Sequence, residues 1–376
     1  MNDIKYHKQK ISQITYLLFL IIMSSAKAFG LDRSDKVFLA VTITGMLFAV
    51  TSIVTNEYSM REVIFFGLLA CFLVVLFYTN RQLSPILLFL VLGGAKYKNK
   101  DTIFKALWYS WLIGFASNIL LSVLGIIPTY SRYDTDHGGI MRYALGYKSD
   151  NMLHFVLFLV VTMWGYTCKK KKVWMFLVWA GINNIFFWLT NCRGGFLSTY
   201  LSLLVWFVLP FIERRKVLAE IYDRLMKVLA VIPLTLSILM LLFVDMSKDF
   251  WILMNSIFTS RVAVAERLVI NYNPKLLGQN LDLVRWTVDN AYIHILYQYG
   301  IIYFVLFFSL YVWLFLQKSN DFMKEKTIAL MIMYIGLIEQ FVQNPFMNYT
   351  LIMIAVMMWK KDTIAKVIER VLVKFR

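Results

Sequence analysis

Long apolar blocks make up most of this chain, separated by short basic or glycine-bearing breaks. They run at about 11–29, 37–54, 62–79, 83–95, 103–127, 151–168, 173–190, 196–212, 228–244, 290–316, 327–342 and 348–359. Most approach the roughly 20 residues with which a helix crosses a bilayer core. The block at 83–95, opened by Ser84-Pro85, is short for a straight span. The pattern predicts an all-α polytopic membrane protein of about twelve transmembrane helices, folded as one integral domain over 1–376. Two breaks are too long for simple turns, 128–150 and 245–289. The second carries Trp251, Ile252, Leu253, Ile257, Phe258, Val262, Val264 and Leu268, spaced for an amphipathic helix lying on the membrane.

Composition agrees: 60% hydrophobic, 16% charged and 16% aromatic across 376 residues, with a mean hydropathy of +0.64. Lipid is therefore the main solvent, and the aromatics suit interfacial belts. A net charge of +17 would suggest nucleic acid in a soluble protein. Here the charge sits in clusters between apolar blocks, where it sets topology, so no nucleic-acid partner is expected. With the N-terminus in the cytoplasm, about two thirds of the 39 Lys and Arg fall inside, including Lys96 to Lys105, Lys169 to Lys172, Arg214 to Lys216 and the basic tail 360–376. Both termini are then cytoplasmic and both long loops extracytoplasmic. The first helix is expected to be retained, with Lys27 snorkelling to the outer interface. Cys71, Cys168 and Cys192 suggest neither a disulfide nor a metal site.

The outer basic residues are biased toward arginine. Arg33, Arg81, Arg132, Arg142, Arg193, Arg261, Arg267 and Arg285 stand against Lys27, Lys36, Lys148, Lys248 and Lys275. Lysine suffices for topology, whereas arginine offers a fixed fork for phosphate, so an anionic ligand on the outer face is indicated. Asn191-Cys192-Arg193-Gly194-Gly195 joins two apolar blocks with almost no linker, and Arg193 is read as a diphosphate ligand. In the first loop Arg142 with Tyr143 and Tyr147 is the candidate for phosphate and sugar contact, Asn151 follows at a helix start, and Asp134-x-Asp136 resembles a metal pair. In the second loop, Asp289-Asn290-x-Tyr292-x-His294 offers Asp289 or His294 as general base. Glu339, Gln340 and Gln343 are polar groups inside the eleventh apolar block. No Walker loop, GxGxxG, HExxH or GxSxG occurs, which argues against nucleotide-driven transport and soluble-type hydrolysis.

Together, Arg142-Tyr143-x-Leu145-Gly146-Tyr147 with Asn151, Asn191-Cys192-Arg193-Gly194-Gly195, Ser260-Arg261, Leu277-Gly278 and Asp289-Asn290-x-Tyr292 leading to Tyr299-Gly300-Ile301-Ile302 resemble the Wzy-type polymerases of O-antigen and capsular polysaccharide. The chain has Cys192 where those proteins often have Ser, and lacks their usual Pro before Asn151. The resemblance implies a bacterial inner-membrane glycosyltransferase, without cofactor or metal, that joins undecaprenyl-diphosphate-linked repeat units. It implies Arg193, Arg261 and Asp289 or His294 as catalytic groups, and Arg142, Tyr143, Tyr147, Asn151, Arg267, Arg285, Asn290 and Tyr292 as substrate contacts. A chain-length regulator is a possible protein partner. The rivals are an O-antigen ligase, which generally carries His-Asn where this chain has Asp289-Asn290, and a flippase or secondary transporter, which should show two similar halves.

Overall fold

The structure is a computed structural model that describes residues 2–32, 35–134, 139–258, 261–281, 288–318 and 322–360. In chain order its elements are α1 (Asn2–Ala28), α2 (Lys36–Thr55), α3 (Met60–Asn80), α4 (Ser84–Gly94), α5 (Lys100–Val123), β1 (Ser131–Asp134), β2 (Ile140–Tyr143), α6 (Asp150–Thr167), α7 (Val173–Thr190) and α8 (Arg193–Glu213). There follow α9 (Lys216–Phe243), α10 (Asp249–Ile257), α11 (Arg261–Asn271), α12 (Ala291–His294), a π-helical turn Ile295–Tyr299, α13 (Gly300–Leu316), α14 (Met323–Ile335), a 3-10 turn Gln340–Gln343 and α15 (Tyr349–Lys360). Among the described residues, eight helical stretches are long and apolar enough to cross a membrane: α1, α2, α3, α5, α7, α8, α9 and the continuous run from α12 to α13. The chain is a mostly helical protein of multi-pass membrane character.

Local chemistry explains the boundaries. Ser59 and Glu62 form a reciprocal capping box at the start of α3, and Asn99 and Ser149 cap α5 and α6. The apolar block 103–127 overshoots its helix because Gly125, at φ +72, lets the chain reverse. Its N–H donates to Ser122 O at 3.0 Å and that of Ile126 to Leu121 O at 2.9 Å.

Two sequence expectations are corrected. The fold is not purely helical, since β1 and β2 pair antiparallel within the first loop, Arg132 opposite Arg142. The block 327–342 is not one helix. α14 stops at Ile335, and Gly336 O accepts the Ala291 N–H at 2.7 Å, so the chain end is spent docking onto the start of α12.

The chain divides into two compact units, one of residues 1–56 and 97–215, the other of 57–96 and 216–376. In the first, α6 is nearly engulfed, packed on α5, α7 and α8, with Thr162 and Ser202 hydroxyls 2.9 Å apart. His154 bridges α6 to α7, its Nδ1 2.9 Å from Thr190 Oγ1 and its Nε2 2.8 Å from Asn183 Oδ1. By contrast α7 leaves most of its apolar side chains uncovered, as a lipid-facing helix does.

In the second unit α14 and α15 are interior helices, while α3 and α9 expose apolar faces. The segment Lys275–Gln279 crosses the start of α13. Ile301 N–H donates to Lys275 O at 3.0 Å, and Gln279 N–H to Gln298 O at 3.1 Å. Gly278 (φ +73) and Gly300 (φ +88) meet backbone to backbone there, so any Cβ at either would strike main chain.

Candidate functional site

In the first unit the turn between α7 and α8 is built around Arg193. Asn191 takes a left-handed conformation at φ +47, and Cys192 caps α8, its Sγ accepting the Gly195 N–H at 3.4 Å. A Cβ on Gly195 would strike the His154 side chain, so glycine here lets α8 close on α6. Arg193 occupies the first helical position and is exposed. An exposed guanidinium at a helix N-terminus suits an anion.

Arg142 lies on β2 of the same unit and is buried. Its Nε is 2.6 Å from both Thr190 O and Asp150 Oδ2, its Nη1 3.1 Å from Asp134 Oδ2, and its Nη2 3.2 Å from Asn191 O and 3.3 Å from Asn151 Oδ1. The side chain thus pins the hairpin to the C-terminal end of α7 and the start of α6. Asn151 serves the same pin, and Asp134 is an ion-pair partner here. Tyr147 is fully buried and its hydroxyl donates to Ala28 O at 2.5 Å, while Tyr143 is exposed at the end of β2. Burial pushes the Tyr147 phenol above its ordinary value, so the hydroxyl stays protonated.

The second unit holds the other cluster. Arg261 opens α11, only 18% of its side chain exposed. Its Nε is 3.2 Å from Asp289 Oδ2, its Nη2 3.7 Å from Glu339 Oε1, and its Nη1 donates to Phe258 O at 3.4 Å. Burial raises the Asp289 carboxyl above its ordinary value, and the Arg261 charge partly opposes this. Arg261 also borders an apolar cavity of about 310 Å³ lined by Leu236, Met240 and Phe243 of α9, Phe250, Trp251 and Met254 of α10, and Phe258, Val262 and Leu337. Asn290 and Ser237 are the other polar residues in that lining. An apolar slot bordered by a guanidinium is the shape of a site for an amphiphile with an anionic head.

The remaining candidates of this unit serve the frame around that cluster. Asn290 Oδ1 accepts the N–H groups of Tyr292 and Ile293 at 3.0 and 3.1 Å, and its Nδ2 donates to Ser237 Oγ at 3.0 Å. Tyr292 is buried, stacked on Phe308 with ring centroids 5.1 Å apart, and donates its hydroxyl to Met333 O at 2.8 Å. His294 is buried next to the Tyr299 ring, centroids 6.0 Å apart, where no solvent reaches it. Arg267 is exposed on α11. Arg285, Asp136, Ser260 and the tail 361–376 lie outside the described residues.

Asp289 and Arg261 are therefore brought together, whereas His294 and Tyr292 face the interior. Two residues escaped the candidate set. His154 was visible as a histidine inside an apolar block, the usual mark of a polar group with a task. Glu339 was visible as a polar interruption, but its meeting with Arg261 needed the end of α14. Among the described residues no cluster of three His, Cys, Asp or Glu is placed to hold a metal ion. No protein-family model, no curated protein and no solved structure matches the chain.

Proposed function

We propose that the protein is a Wzy-type polymerase of the bacterial inner membrane, joining oligosaccharide repeat units carried on undecaprenyl diphosphate. The observation that carries this reading is the apolar cavity bordered by Arg261, with Asp289 3.2 Å from its guanidinium. A polyprenyl chain suits the Phe, Trp, Leu and Met lining, and Arg261 suits the phosphate attached to it. The eight long helices, with α4, α6, α14 and α15 counted as shorter crossings, make twelve in this reading, with both termini inside and the Arg261 cluster outside.

In the reaction an acceptor sugar hydroxyl attacks the anomeric carbon of the donor glycan. A new glycosidic C–O bond forms, the C–O bond to the lipid diphosphate breaks, and the bond electrons leave with the diphosphate. Arg261 stabilises the charge that builds on that leaving group. Asp289 accepts the hydroxyl proton and later returns it to water. Arg193, in the other unit, is read as a separate anion ligand. The donor arrives activated, so the mechanism needs no nucleotide. A regulator of chain length and the bilayer itself are the partners expected.

A strain lacking the gene tests the reading. A single repeat unit on the lipid core means a lost polymerase. Polymer retained on its carrier with unmodified core means a ligase, and intermediates trapped inside mean a flippase.

A further inference from the structure

Two carboxylates face the guanidinium of Arg261, Asp289 3.2 Å from Nε and Glu339 3.7 Å from Nη2, and Nη1 donates to the Phe258 carbonyl, while Nε itself has no hydrogen-bond partner. Glu339 reaches it because of the break after α14. The chain turns at Gly336, and Glu339 is extended (φ −142, ψ 129) rather than helical, with 18% of its side chain exposed. A carboxylate left on a helix at this point would have followed the axis of α14.

A phosphate arriving at Arg261 meets two carboxylates on the group it must bind. In a site half-screened from water, like charges at that range repel strongly, so at least one carboxylate has to move or take up a proton. The other titratable groups on the neighbouring elements have separate positions. Asp245 pairs with Lys248 at 3.2 Å, Asp249 begins α10, Glu266 accepts the Met246 N–H at 2.6 Å, Arg267 is exposed on α11 and His294 is buried behind α12. The acids on Arg261 itself are thus the pair that an incoming anion confronts.

We infer that Glu339 is an anionic latch on Arg261, which a lipid-linked phosphate displaces with uptake of one proton by Glu339. The inference rests on the reading of Arg261 as the phosphate site, and it makes Glu339 a positioning residue, because it acts through Arg261. Asp289 has to stay ionised to act as the base, so Glu339 is the group that takes the proton. The latch holds a counter-charge against the guanidinium before the lipid arrives. It also favours binding at lower pH, against the trend set by the phosphate's own ionisation.

The test uses the full-length protein in zwitterionic-lipid nanodiscs, with farnesyl diphosphate as the probe, titrated calorimetrically in two buffers of different ionisation heat. Wild type takes up about one proton on binding, and affinity rises as pH falls through the neutral range, by up to about tenfold per pH unit. Glu339→Gln keeps the helical circular-dichroism spectrum, binds about tenfold tighter at neutral pH, and takes up close to no proton. Glu339→Asp retains the charge and the proton uptake. Equal or weaker binding by Glu339→Gln, or no proton uptake by wild type, overturns the latch while a loss of binding in Arg261→Ala leaves the phosphate site standing. If wild type does not bind, or Arg261→Ala binds as wild type does, the site and the latch fall together.

Discussion

Arg142 and Arg261 look alike in the sequence, each an arginine in a long loop close to acidic and tyrosyl residues, yet they hold opposite positions in their units. Arg142 is buried, with contacts to Asp134, Asp150 and Asn151 and to two carbonyls that end α7. Arg261 carries two carboxylates as well, but it also borders an apolar cavity and keeps part of its surface open. Each nitrogen of the first has a contact within the protein. The second has a lipid-shaped space beside it. Charge type alone does not separate the two; what surrounds the guanidinium does.

The sharpest way to break this contrast is Arg142→Ala. It removes the buried cation between Asp134 and Asp150, and the expected loss is about 3 kcal/mol of stability, read as a fall in thermal unfolding temperature and in membrane protein level. Arg261→Ala should do the reverse, with normal protein level and a drop in chain elongation of about a hundredfold, read on glycan ladders. If the two variants behave the same way, the distinction fails.

Next in size is a main-chain effect. Gly300→Ala sets a Cβ against the backbone of the crossing segment at Gly278 and forces a side chain into positive φ. The expected cost is about 1 to 3 kcal/mol, seen in unfolding midpoint. The Asp289 carboxyl is raised above its ordinary value of 3.8, so the base form is depleted at low pH. Elongation by membranes in vitro should therefore rise with pH through a midpoint above 3.8, and Asp289→Asn should abolish that limb. The sign for stability is opposite. A raised acid is stabilising below its unfolded value, and that contribution is lost as pH rises through the folded one. Smallest is Tyr147→Phe, which removes one buried hydroxyl bond to Ala28 and should cost about 1 kcal/mol without changing chain length.

Much of the architecture is legible in the sequence because apolar length and lipid impose the same constraint. The blocks 37–54, 62–79 and 173–190 reappear as α2, α3 and α7 to within a few residues. Where helix and apolar block disagree, a main-chain event intervenes. Gly125 ends α5 before its apolar block runs out, and Gly336 turns the chain to cap α12. The hairpin β1–β2 was hidden because its strands are four residues each and amid glycine and charge.

The site was legible only in part. Asp289 and Arg261 could be named from sequence, but nothing in their spacing tells that they meet, since α11 and the segment after it separate them. Tyr147, Tyr292 and Asn290 carried the residue types of a sugar site, and each bonds the protein itself, the tyrosines to backbone carbonyls and Asn290 to backbone N–H groups and Ser237. Leu277-Gly278 and Tyr299-Gly300 turn out to be two halves of one backbone crossing, a reason for glycine that needs no ligand.

The central claim is that a polyprenyl phosphate sits in the cavity at Arg261. A photoreactive polyprenyl diphosphate, incubated with the protein in membranes and mapped by peptide mass spectrometry, tests it most directly. The account predicts label on α9 and α10, at Leu236, Met240, Phe243 or Trp251, and its loss in Arg261→Ala. Label that falls on other helices, or that is unchanged in Arg261→Ala, would contradict it.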